Sequence, residues 1–190
     1  ENLIDLYFLV GTKFKNAVEK VIPSLAPRVY VTGWPKIDLL RHYKDQIYGS
    51  TAAQLRKKHG SFLLFSSDFG TNTEEKVDGA YLQDKKSGVH SRMCQADLRR
   101  KICQRNLAEF RGMIAFLKRI DKDKNILPII VRPHPGDDKG IWEKELKGCQ
   151  KVKVIYEGNS FSWILAAQGV LHRGCSSATE ANLMGVSSAY

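Results

Sequence analysis

Apolar residues in this chain fall into short runs that end in glycine, proline or polar residues. Most of these runs are followed by a stretch with helical spacing. The first covers residues 6–10 and closes at Gly11. Phe14, Val18, Val21 and Ile22 then recur at helical intervals until Pro23 and Pro27 stop them. Residues 28–33 read as a second strand ending in Gly33, and a helix is expected from about Leu39. The polar stretch after it reads as helical over residues 54–58. Residues 61–67 are a third strand, with a loop from Asp68 to Asn72 behind it. Residues 74–90 are polar with scattered glycines and read as an insertion or loop. The longest helical pattern spans 91–120. Leu98, Ile102, Leu107, Phe110, Ile114 and Leu117 lie near one face of it, Arg and Lys on the other, and a break is expected near Gly112.

Beyond residue 125 the strand-then-helix pattern repeats three times. Strands are expected at 126–131, 152–156 and 169–172, and a further one after Gly185. Ser160 is expected to cap a helix over 161–167, with Trp163 in the core. Strands alternating with helices predict an α/β fold. The specific expectation is a Rossmann-like, doubly wound, mostly parallel sheet with helices on both faces. Functional loops then belong at the carboxyl ends of the strands.

The composition, 43% hydrophobic and 26% charged, is that of a globular protein. No run approaches the roughly 18 apolar residues of a membrane span. The four cysteines, Cys94, Cys103, Cys149 and Cys175, form no C-x-x-C pair and read as free thiols of a reducing cytoplasm. A net charge of +10 favours anionic partners, which include anionic membrane and phosphorylated substrates. The basic clusters fall on predicted helices without an aromatic ladder, so nucleic acid is not expected as a partner.

Two loops carry candidate chemistry. His134 follows a strand and lies between Pro133 and Pro135, which restrict the backbone on both sides. There it can donate a hydrogen bond to a phosphate oxygen, or as a cation offset charge on a departing phosphate. It can equally do no more than bond a neighbouring carbonyl. The second loop, Gly174-Cys175-Ser176-Ser177, leads from a strand into a helix whose free N–H groups suit a phosphate. Ser177 and Glu180 also have capping-box spacing, which needs no ligand; Glu180 is thus a reciprocal cap or a carboxylate for ribose hydroxyls. Gly33, Ser67, Asp68 and Glu157 lie in further strand-end loops. Asp137 and Asp138 beside a helix start favour a dipole interaction over a metal site, so no metal is expected. No phosphate-loop, nucleophile-elbow or zincin motif is present.

The segments Val31-Thr32-Gly33-Trp34-Pro35-Lys36-Ile37-Asp38-Leu39-Leu40, Arg132-Pro133-His134-Pro135, Trp163-Ile164-Leu165-Ala166-Ala167 and Gly174-Cys175-Ser176-Ser177-Ala178-Thr179-Glu180-Ala181 resemble, in the same order, motifs of bacterial surface-carbohydrate biosynthesis proteins. These look like GT-B glycosyltransferases related to capsule and teichoic-acid transferases. The resemblance implies a donor domain in which His134, Cys175, Ser176 and Ser177 hold nucleotide phosphates, Glu180 holds ribose, and no metal or other cofactor is needed. It implies His134 as the catalytic group, a nucleotide sugar as donor, a glycan or lipid-linked acceptor, and a cytoplasmic location, peripheral on the inner membrane face. Trp34 stands where these proteins have Asn. On this reading residues 1–32 end an upstream domain. Residues 33–190 are then a donor-binding domain cut short at its C-terminus, in a chain that binds donor without turning it over. Two other readings stay open: a non-hydrolysing nucleotide-sugar 2-epimerase, and a non-catalytic basic scaffold at the membrane.

Overall fold

The computed structural model describes residues 5–70 and 96–190, with the side chains of residues 96, 97 and 99 left aside. The loop expected at 74–90, Cys94 and the first turn of the helix expected from residue 91 lie outside these residues. The chain forms two compact units, residues 1–47 and 48–190.

In the first unit, strand β1 (Tyr7–Leu9) leads through helix α1 (Thr12–Val21) and a short 3-10 turn (Pro23–Arg28) to β2 (Val29–Val31). The two strands pair in parallel, Tyr7 beside Val29 and Leu9 beside Val31. Helix α2 (Pro35–His42) starts four residues earlier than expected, because Pro35 takes its first position, where a missing N–H costs nothing. Gly33 makes the turn before it at φ +76°, a conformation that favours glycine. Helix α3 (Lys44–His59) follows and is much longer than the 54–58 segment expected. Its polar first half conceals it, and it buries only Ala52 and Leu55.

The second unit is the expected α/β fold. Its elements are β3 (Leu63–Ser66), α4 (Ala96–Ile120), β4 (Ile129–Arg132), α5 (Lys139–Glu145), β5 (Val152–Val154), α6 (Ser160–Ala166), β6 (Gly169–His172), α7 (Ser176–Leu183) and β7 (Ser188–Ala189). The strands form one parallel sheet in the order β5-β4-β3-β6-β7. The chain therefore leaves central β3 toward β4 and β5, then returns to build β6 and β7 on the other side.

Each face of this sheet is covered. On one face, α4 presents Cys103, Leu107, Phe110, Ile114 and Leu117, spaced four and three apart, to Phe65, Val131 and the fully buried Trp142. Leu98 and Ile102, expected on that stripe, are 49% and 41% exposed; Cys103, not Ile102, continues the spacing. No break occurs at Gly112. Glycine costs about 1 kcal/mol there, less than the packing of several buried side chains provides. On the other face Phe62 packs edge-on to Trp163 at 5.9 Å, with Leu64, Ile130 and Val170 also buried.

Two caps differ from expectation. Asn159, not Ser160, caps α6, its side chain accepting from the Phe161 N–H at 2.8 Å. Helix α7 begins at Ser176 with Cys175 at the cap position and no side-chain cap bond, so Ser177 lies inside the helix. The left-handed turn at Gly174 (φ +70°) starts the helix two residues too early for the capping box. Among the described residues no helix is long and apolar enough to cross a membrane.

Candidate functional site

Central β3 is flanked by β4 and β6, and the chain reverses its direction of winding between β3 and β6. In open parallel sheets that reversal opens a crevice outside the carboxyl ends of the strands. Three loops meet this edge: 67–70 after β3, 133–138 after β4 and 173–175 after β6.

The β4 loop holds His134. Its backbone N–H donates to Ser67 Oγ at 2.9 Å, and its Nδ1 accepts from the Gly136 N–H at 3.0 Å. The residue is exposed, although Pro133 beside it is buried. Beneath it, buried Asp137 accepts from Ser67 Oγ at 2.5 Å, from the Gly70 N–H at 2.8 Å and from Trp142 Nε1 at 3.1 Å. A buried carboxylate is stable only with such donors around it. Asp137 thus ties the β3 and β4 loops together, and Ser67 spends its hydroxyl inside that tie. Asp138 caps α5 by accepting from the Ile141 N–H at 3.3 Å. No group of three or more His, Cys, Asp or Glu among the described residues is placed to hold a metal ion.

The β6 loop is held as firmly. Arg173 donates to both Glu109 and Asn106 of α4 and to the Asp68 carbonyl, the last at 2.8 Å, while its guanidinium stacks 4.9 Å from the Phe69 ring centre. Asn106 returns a bond to the Phe69 carbonyl at 3.0 Å. Asp68 therefore contributes its backbone to this tie. Past Gly174, Cys175 and the first turn of α7 present Ser176 and Ser177, the former exposed and the latter half-buried. Glu180, one turn on, is buried and engaged within the protein.

Glu157 lies beyond β5. Its carbonyl accepts from Arg132 at 2.5 Å and from Trp163 Nε1 at 2.7 Å, and its exposed carboxylate pairs with Lys58 at 3.1 Å. Arg132 also donates to the Gly158 carbonyl at 3.0 Å and lies over the Trp163 ring. Burial pushes its pKa below the ordinary arginine value, against the pull of Tyr156 and Glu157. Gly33 belongs to the first unit, in the turn between β2 and α2.

The structure thus brings His134, Ser67, Asp68, Cys175, Ser176 and Ser177 to the ends of adjacent strands. Sequence reasoning missed Arg173 and the structural part played by Asp137. Their partners lie 105 and 70 residues away in the chain, and no local signal announces them.

No protein-family model matches the sequence, and no curated protein matches it either. Among solved structures the chain is similar to the wall teichoic acid polymerase TagF, in a crystal soaked with CDPG. The likeness covers 97% of this chain at 9% identity with a TM-score of 0.50, and the chain spans 37% of that polymerase's length. The likeness is one of fold: a Rossmann-like α/β architecture of the GT-B type.

Proposed function

We propose that this chain is the donor-binding part of a GT-B-type transferase that uses a nucleotide-activated donor in bacterial surface-polymer synthesis. One observation carries the reading: His134 and the start of α7 stand at the ends of β4 and β6, on either side of β3 at the reversal point of a parallel sheet. The first N–H groups of α7 supply a partial positive charge, and small Ser176 and Ser177 let a phosphate approach them. His134 would donate to the phosphate that leaves with the nucleotide as the bond to the transferred group breaks, where negative charge grows. Ribose is assigned to Glu180. The reading places charge neutralisation on these N–H groups, with no role assigned to a metal ion. A glycan or lipid-linked chain is the acceptor it implies. CDPG in the crystal of the structurally similar polymerase makes CDP the first nucleotide to try, and adds activated polyols to nucleotide sugars as donor candidates.

Calorimetric titration of CMP, CDP, UDP and GDP into the wild-type chain tests this. One nucleotide should bind at a single site, and His134→Ala should weaken it about tenfold or more, the worth of a hydrogen bond to a charged oxygen. Failure of all four to bind would remove the reading.

A further inference from the structure

The turn that holds His134 occurs a second time. At the end of β4 the Gly136 N–H donates to His134 Nδ1 at 3.0 Å, and at the end of β6 the Gly174 N–H donates to His172 Nδ1, also at 3.0 Å. Each imidazole folds back on the backbone two residues ahead, as an Asn side chain does in an Asx turn. A neutral imidazole carries a single N–H. With Nδ1 accepting, the hydrogen resides on Nε2. Both rings therefore present an N–H, not a lone pair, at the edge turned away from the turn. For His172 the Gly174 bond and an edge contact with the Tyr190 ring at 6.0 Å are its side-chain interactions among the described residues, and neither uses Nε2. Strands β4 and β6 lie on opposite sides of β3. Two strand spacings separate them, about 10 Å. That spacing is on the scale of a diphosphate with a hydrogen bond of about 2.9 Å at each end.

We infer that His172 is a second donor of the anion site, contacting the diphosphate of the ligand together with His134, and that neither imidazole acts as the base. The inference rests on the donor-binding reading above. A base that deprotonates an acceptor hydroxyl needs a lone pair facing the substrate, and the two turns bury the lone pair of each ring in a backbone bond. Ser67 and Asp137 are positioning residues in this arrangement. The Ser67 hydroxyl accepts from the His134 N–H, and Asp137 fixes that hydroxyl, so the imidazole is held without either group touching ligand.

Two substitutions separate turn from donor. In His172→Asn the carboxamide oxygen replaces Nδ1 as acceptor for the Gly174 N–H, so the turn is kept and the distal N–H is lost. In His172→Gln the amide nitrogen reaches toward the Nε2 position while the turn bond is lost. CDP and inorganic pyrophosphate are titrated into wild type and both variants. His172→Asn should weaken both ligands about tenfold, and His172→Gln by less. Wild-type affinity in His172→Asn, or a loss confined to CDP, would overturn the inference while leaving the donor-binding reading in place. Wild type binding neither ligand would overturn both. Independently of any ligand, long-range proton–nitrogen correlation spectra at alkaline pH should show the Nε2–H tautomer for both rings, identified by their absence from the His134→Ala and His172→Asn spectra. An Nδ1–H tautomer in either ring contradicts the assignment.

Discussion

His59 is where a single residue sets a measurable property of the molecule. At the end of α3 its ring lies tilted against Trp163 at 5.3 Å and meets Phe62 edge-on at 6.4 Å, and its Nε2 is buried without a partner among the described residues. Burial lowers its pKa, with the charge of neighbouring Lys58 adding to the effect and Glu157 opposing it. The sign of the pH dependence follows. As pH falls through about 6.5 the unfolded chain takes up this proton first, so the unfolded state is favoured until the folded histidine also protonates at its lower value. Stability is highest above that window and declines on acidification within it. Replacing His59 by Phe keeps the ring packing and removes the orphaned nitrogen. Thermal melts of His59→Phe should therefore show a flatter decline below neutral pH and a gain of up to about 1 kcal/mol at neutrality. An unchanged slope would assign the acid sensitivity to other groups. Arg132 is the contrasting case: it too is partly buried, but two carbonyls and the Trp163 face satisfy it.

Between elements, the strongest ties are carboxylates that gather backbone N–H groups. Asp121, just past the end of α4, accepts from Lys151 at 2.6 Å, Val152 at 3.0 Å and Gln150 at 3.1 Å, and so fixes the start of β5. Burial raises its carboxyl pKa, but the three backbone bonds and the Lys151 charge outweigh it, and the result is a lowered value. Its stabilisation is complete above the unfolded pKa of about 3.9 and is lost as pH falls through the lower folded value. Asp121→Ala should lower the urea midpoint by an amount worth about 1–2 kcal/mol at neutral pH. It should also blunt the loss of stability in the acid range. A midpoint unmoved by the substitution would mean that water replaces the carboxylate without penalty. Such ties explain what the sequence could and could not convey. The strands were legible because runs such as Phe62 to Phe65 and Ile129 to Val131 are apolar and bounded by glycine, proline or polar residues. The His134 loop was legible through its two prolines. The first half of α3 was hidden, since little of it packs. His172 passed as the last residue of a strand, because the bond that singles it out depends on the Gly174 backbone turning back. The Asp137 and Arg173 ties depend on tertiary neighbours that no periodicity encodes.

For the whole molecule, the two units differ in how much apolar surface they remove from water. The second encloses its sheet on both faces, with Phe62, Leu64, Phe65, Val131, Trp142 and Trp163 almost inaccessible. Parallel sheets are stable when both faces are covered in this way. The first holds a parallel pair of three-residue strands, and among its described residues only Val29 and Leu40 are buried, while Phe8, Phe14, Tyr30 and Trp34 are exposed. Local opening free energies follow buried apolar contact and protected backbone bonds. Amide hydrogen exchange on the full chain should therefore proceed in two stages. The amides of β1, α1 and β2 exchange first. Those of β3, β4 and β6 follow last, at rates set by global unfolding. Raising the temperature toward the transition should narrow the gap only when the second unit itself begins to open. Equal protection of β1 and β3 would show that the first unit acquires cover for its apolar face in solution, and sedimentation across a concentration series would then tell whether a second copy supplies it.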